Sequence, residues 1–173
     1  MGLRLQSPAW RVVAVLLGAG LLLLGGCGFH LRGEEALPAA MQVTYIQGKS
    51  QFDELNDDFR AALESHGARV TNDREEATAI LRIQDTRKDR DVLSVDLGGK
   101  VLEIKLRRMV RFVVLHADNR PLIESQTVAV SRDFVFSKDD ILAKEREAEL
   151  ISEELRRDLV TLSMLRILAV AKR

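Results

Sequence analysis

Between Lys100 and His116 apolar and polar side chains alternate over a length that leaves little room for any element but a strand. Leu102, Ile104, Leu106, Val110, Phe112 and Val114 fall on one face, and Glu103, Lys105, Arg107 and Arg111 on the other. A period of two predicts a strand half-buried in an antiparallel sheet. Ala117-Asp-Asn-Arg-Pro121 reads as a reverse turn, with Asp and Asn suited to positive φ and Pro setting the exit. Leu122 to Phe136 then returns as the second arm. Both arms exceed the usual strand of about five or six residues, so the hairpin either overhangs its core or is supported by something else. Its polar face, with Lys105, Arg107, Met109 and Arg111, meets either water or a partner.

The remaining elements are shorter. Met41 to Ile46 alternates and is rich in β-branched and aromatic residues, which predicts a strand ended by Gly48. Ser50 caps a helix whose Phe52, Leu55, Phe59, Ala62 and Leu63 recur at helical spacing, with Asp53 in its first turn and Gly67 as its left-handed terminator. Val70 begins a short connection, and Ala77, Ala79, Leu81 and Ile83 mark a second strand. The charge run Thr86 to Asp91 is a solvated loop or an extension of the sheet, and Val92 to Val95 extends pairing locally before the turn at Gly98-Gly99. Ser137 caps the last helix, Asp139 and Asp140 complement its dipole, and Ile141, Ala148, Ile151, Leu155, Leu159 and Leu162 form its apolar stripe. Strand, helix, strand, long hairpin, helix predicts an α+β fold. The expectation is a two-layer sandwich of two helices packed on a small, mostly antiparallel or mixed four-stranded sheet.

Leu21 to Gly33 decides where the chain lives. Arg4 and Arg11 precede an apolar run of 13 residues, Val12 to Leu24. A membrane-spanning helix needs about 20, so the basic start, short apolar middle and small residues describe a secretory signal. Leu24-Gly25-Gly26 before Cys27 resembles the bacterial lipobox. That likeness implies cleavage before Cys27, acylation of the cysteine, and an outer-membrane destination, since Gly28 stands where inner-membrane lipoproteins commonly carry Asp. The alternative is a buried structural cysteine beside an ordinary signal. The expected organisation is a signal peptide over 1–26, a lipidated tether over 27–40 and one domain over 41–173.

Composition excludes several classes. Removing residues 1–26 takes Arg4 and Arg11 from 26 Lys+Arg and nothing from 26 Asp+Glu, leaving about −2, without the basic excess of a nucleic-acid binder. One cysteine allows no internal disulfide. His30, His66 and His116 lack metal-ligand spacing, Ser94 and Ser131 sit in no nucleophile elbow, and Glu145, Glu147, Glu149, Glu153 and Glu154 read as a wet helix face. No enzyme, cofactor or metal site is expected.

Cys27-Gly-Phe-His-Leu-Arg-Gly33, Leu93-Ser94 with Gly98-Gly99 and Glu103, Arg132-Asp-Phe-Val-Phe136 and Ile141-Leu-Ala-Lys-Glu-Arg-Glu147 occur in the order found in the LPS-assembly lipoprotein LptE family, which this chain resembles. The resemblance implies a plug in the lumen of an LptD-type outer-membrane barrel, in a one-to-one complex. It further implies a part in barrel assembly and in lipopolysaccharide delivery to the outer leaflet, by binding without turnover. Many members carry a polar tail after the last helix; this sequence stops at Arg173. Lipopolysaccharide presents phosphates and fatty chains, so its binder needs cations beside apolar surface. Lys144, Arg132, Lys100 and Arg90 are the candidate phosphate-binding residues. The competing reading for each is a solvated or helix-pairing charge, and Phe134 and Phe136 read as core. The alternatives in function are a chaperone or pilot lipoprotein for another outer-membrane complex, and an exported hydrolase.

Overall fold

A computed structural model describes residues 37–48, 54–135 and 141–171. The signal segment, Cys27, His30, the Ser50 cap with Phe52 and Asp53, Phe136, the Ser137 cap and Arg173 lie outside the described residues. After a 3₁₀ turn at Ala39–Gln42 come β1 (Val43–Gln47), α1 (Glu54–Ser65), β2 (Arg69–Thr71), β3 (Ala79–Val95), β4 (Val101–His116), β5 (Pro121–Val135) and α2 (Ile141–Ala171). The sheet order is β2-β1-β3-β4-β5. β1 runs parallel to both neighbours, and β3, β4 and β5 form an antiparallel meander.

The α+β class with two helices stands, and the sheet has five strands, one more than expected. The added strand is β2, where Val43 pairs with Arg69 and Tyr45 with Thr71. Three residues are too few for a period to register, so this stretch reads as connection. The charge run resolves as sheet. β3 continues through it, with Asp85, Asp89 and Asp91 opposite Arg111, Arg107 and Lys105 on β4. Opposite charges on one face of an antiparallel pair favour this pairing. A bulge at Gln84, between the Ile83 and Asp85 pairings, shifts the phase so that the aspartates face away from the helices.

The turns behave as read. Asn119 has φ 67° and Gly67 φ 84°. The other hairpin end is built by Asp96, whose carboxylate accepts the N–H groups of Gly98 and Lys100 at 2.9 Å each, with Gly99 at φ 77°.

Both helices cover one face of the sheet. Phe59 and Leu63 of α1 and Leu159, Met164 and Ile167 of α2 join Leu81, Ile83, Val110, Phe112 and Val114 in the main core. The Phe59 and Phe112 rings lie 6.3 Å apart, tilted by 60°. A smaller cluster of Ile104, Leu106, Phe134, Ala148 and Leu155 docks the first half of α2 on the outer hairpin. Arg156 ties the helices together: its Nε donates to Asp58 at 2.6 Å, and it also pairs with Glu54.

The stripe of α2 differs from expectation. Ala148, Leu155 and Leu159 are buried, but Ile141 and Leu162 are 59% and 41% exposed, while Ser152, Val160, Ser163, Met164, Ile167 and Leu168 are buried. In its second half α2 packs against both the sheet and α1, which widens and rotates the buried arc. Leu162 is left facing β5.

Candidate functional site

The ends of β3 and β4 run past the main core, and the strand register there orders the inner face in rows. Arg90 of β3, Leu106 of β4 and Arg132 of β5 form one row, and Val92, Ile104 and Phe134 the next. At about 4.8 Å per strand, Arg90 and Arg132 stand roughly 10 Å apart on either side of Leu106. Leu106 packs beneath α2, so the helix passes between the two arginines.

Each arginine meets that helix. Arg90 makes a bidentate pair with Glu145, at 3.0 and 3.1 Å. Arg132 pairs with Glu154 at 2.5 Å and approaches Asp158 at 3.8 Å. Nine residues separate the two glutamates, which places them on opposite sides of the helix. Arg108, one row inward, donates to the buried Ser152 hydroxyl at 3.0 Å. The Arg90 hydrogen bond holds the Glu145 carboxyl below the usual carboxylate range.

Lys144 stands at the start of α2. Its Nζ is 2.7 Å from Glu147 and 5.2 Å from the Phe134 ring centroid, a cation over an aromatic face. Lys100 is exposed at the β3–β4 turn and has no ion pair among the described residues. The sequence-derived candidates therefore all lie at the outer end of the hairpin. Arg90 and Arg132 are divided by α2.

Apolar exposure concentrates at the same end. Val92, Leu93, Val95, Leu97, Leu102, Val135, Ile141 and Leu142 are eight of the twelve exposed large apolar side chains among the described residues. Leu97 occupies the turn that Asp96 and Gly99 shape, and is fully exposed. Further in along the hairpin, a groove of about 340 Å³ opens under α2, floored by Leu106, Ala148 and Leu155 and rimmed by Lys88, Arg90 and Glu145. Apolar surface with interspersed cations suits an amphiphile carrying anionic groups. Lys88, Leu97, Ile141 and Leu142 were not among the candidates. An apolar residue between Asp96 and Gly98, inside a turn, was the signal for Leu97.

Among the described residues no cluster of three or more His, Cys, Asp or Glu could hold a metal. No described helix is long and apolar enough to cross a membrane.

The family model for LptE, lipopolysaccharide-assembly, matches residues 39–167. The LPS-assembly lipoprotein LptE of Photorhabdus laumondii is 30% identical over 146 residues, covering 84% of this chain and 79% of that one. A solution structure of an uncharacterized lipoprotein B from Nitrosomonas europaea superposes with a TM-score of 0.71 at 27% identity, covering 84% of this chain and 93% of that one. A minor lipoprotein from Acinetobacter baumannii shares the fold, with a TM-score of 0.63 at 19% identity over 75% of this chain and 92% of that one.

Proposed function

The chain belongs to the LptE family of lipopolysaccharide-assembly lipoproteins, and from that premise we propose that it is an outer-membrane lipoprotein, anchored through Cys27, that binds in the lumen of an LptD-type barrel and contacts lipopolysaccharide directly. A role in lipopolysaccharide assembly follows from the family, whose members act by binding.

The observation that carries the glycolipid part is the coincidence of exposed apolar side chains with Arg90, Lys100, Arg132 and Lys144 at one end of the hairpin. Fatty chains meet Leu97, Val95 and Leu142, and phosphates meet the cations. The charge-paired outer face of β3 and β4, with Asp85, Asp89 and Asp91 opposite Arg111, Arg107 and Lys105, supports the barrel part. Such a face is compatible with a polar lumen and is not covered by α1 or α2.

A second reading, an assembly or pilot lipoprotein without ligand binding, draws on the ion pairs. Arg90, Arg132 and Lys144 each already have a glutamate partner, as charges that only fasten a helix would.

Purification of the full-length lipoprotein from its own outer membrane in mild detergent, with mass identification of what elutes near one-to-one, tests the partner. A lipopolysaccharide-translocon barrel in that fraction is the expected result. Its absence, under conditions that keep other barrel complexes intact, overturns the reading.

A further inference from the structure

β5 is an edge strand, and the ladder determines which of its backbone groups are spare. The Ala117 N–H donates to the Thr78 carbonyl and the His116 N–H to the Arg120 carbonyl, so odd positions of β4 face β3 and even positions face β5. Between Lys105 and His116 the bulges lie on β3 and β5 and leave this alternation of β4 intact. Arg111, Met109, Arg107 and Lys105 therefore turn away from β5, and their partners Thr127, Ala129, Ser131 and Asp133 present their N–H and C=O groups to the open side. The Thr127 carbonyl is met there by Arg166 Nη1 at 2.8 Å. Beyond it, the outward backbone groups of Ala129, Ser131 and Asp133 have no partner among the described residues. Natural proteins guard such edges; here one arginine guards one carbonyl.

A groove of about 380 Å³ runs beside this open stretch, between β5 and α2, with Val130, Leu155 and the exposed Leu162 as its apolar wall. Asp158 lines it and Glu154 stands at its margin, both paired with one guanidinium, Arg132. Spare backbone donors and acceptors beside an apolar slot, with a helix as the far wall, are what an extended peptide needs in order to add a strand to a sheet. A fatty chain would leave those backbone groups unpaired.

We propose that the Ala129–Asp133 edge and this groove take an extended segment of the barrel partner, which seats an apolar side chain against Leu155 and Leu162 and carries a basic neighbour toward the carboxylate margin. This rests on the barrel reading above. Wherever a partner shields this edge from water, its backbone groups lose their hydration, and an added strand supplies the missing hydrogen bonds. The small side chains of Ala129 and Ser131 leave room for its cross-strand neighbours.

The test uses the full-length lipoprotein in its own outer membrane. Photo-crosslinking from p-benzoylphenylalanine at Ser131 should trap the barrel, and peptide mapping should find an extended segment with an apolar and a basic residue at the crosslink. Ser131→Pro removes an outward N–H and leaves every bond to β4 in place; it should lower barrel recovery at least tenfold with thermal unfolding unchanged. Leu162→Glu, on the helix wall, should lower recovery independently of any effect on the strand. A crosslinked dimer of this chain overturns the proposal. So does barrel recovery that stays at wild-type level in Leu162→Glu with no barrel crosslink from Ser131, and then the barrel reading stands. If the wild-type chain recovers no barrel, both fall together.

Discussion

Lys144 lies between Glu147 and the face of Phe134. Its ammonium is thus held at the apolar end of the hairpin with its stem half-covered. A phosphate arriving there competes with one partly exposed carboxylate, and a charge-assisted bond to it contributes about 1.5–3 kcal/mol. Lys144→Glu should therefore weaken binding of the full-length protein to lipopolysaccharide micelles by about tenfold or more, while Lys144→Arg keeps most of it. Unchanged binding of Lys144→Glu in a titration would remove this residue from the site. Glu145 gives a pH prediction. Its folded pKa lies below the ordinary value because Arg90 donates to it. The stabilisation from that pair is therefore complete at neutral pH, above the unfolded value of about 4.3, and is lost as pH falls through the folded value. Melting temperatures of wild type and Glu145→Gln should differ at pH 7 and converge as the solution is acidified below that range. High salt should narrow the gap at pH 7, since the pair is exposed.

At the scale of elements, α1 is held by few anchors, chiefly Leu55, Phe59 and Leu63. Phe59 is fully buried against Phe112, and Phe59→Ala should cost about 3–5 kcal/mol in denaturant unfolding. The hairpin tip should behave in the opposite way. Leu97 is fully exposed, so Leu97→Ser should leave stability unchanged and weaken glycolipid binding, a separation that unfolding and binding assays read directly. The elements were not equally legible. The arms of the hairpin and the turn at Asn119 showed plainly because an alternating pattern and a left-handed turn residue are local signals. β2 did not show, because its only reason to be a strand is the parallel partner β1. The charge run from Asp85 to Asp91 was ambiguous for a similar reason, since its pairing depends on Arg111, Arg107 and Lys105 lying opposite. The stripe of α2 was read with Leu162 inside, because spacing gives a periodicity but not the side from which α1 arrives.

For the whole molecule, the export signal and the anchor are sequence statements with a cellular readout. Cys27→Ala should abolish acyl labelling of the chain; labelling that persists in the variant would refute the anchor. The candidate cations were nameable from residue type and family pattern, yet their relations were not. Arg90 and Arg132 look like neighbours on paper and are separated by a helix whose glutamates hold both. The open edge of β5 was invisible, because which backbone groups are spare depends on register, and register is set by bulges at Gln84 and in β5 that no side-chain pattern announces. What the sequence determined by itself was the class of fold, the long hairpin and the family, since these rest on periodicity, turn chemistry and residue identity along the chain. Only the tertiary structure decided the fifth strand, the rotation of the buried face of α2, and the clustering of apolar side chains and cations at one end of the hairpin. Those depend on which distant surfaces meet, and burial is a property of such meetings rather than of any one stretch.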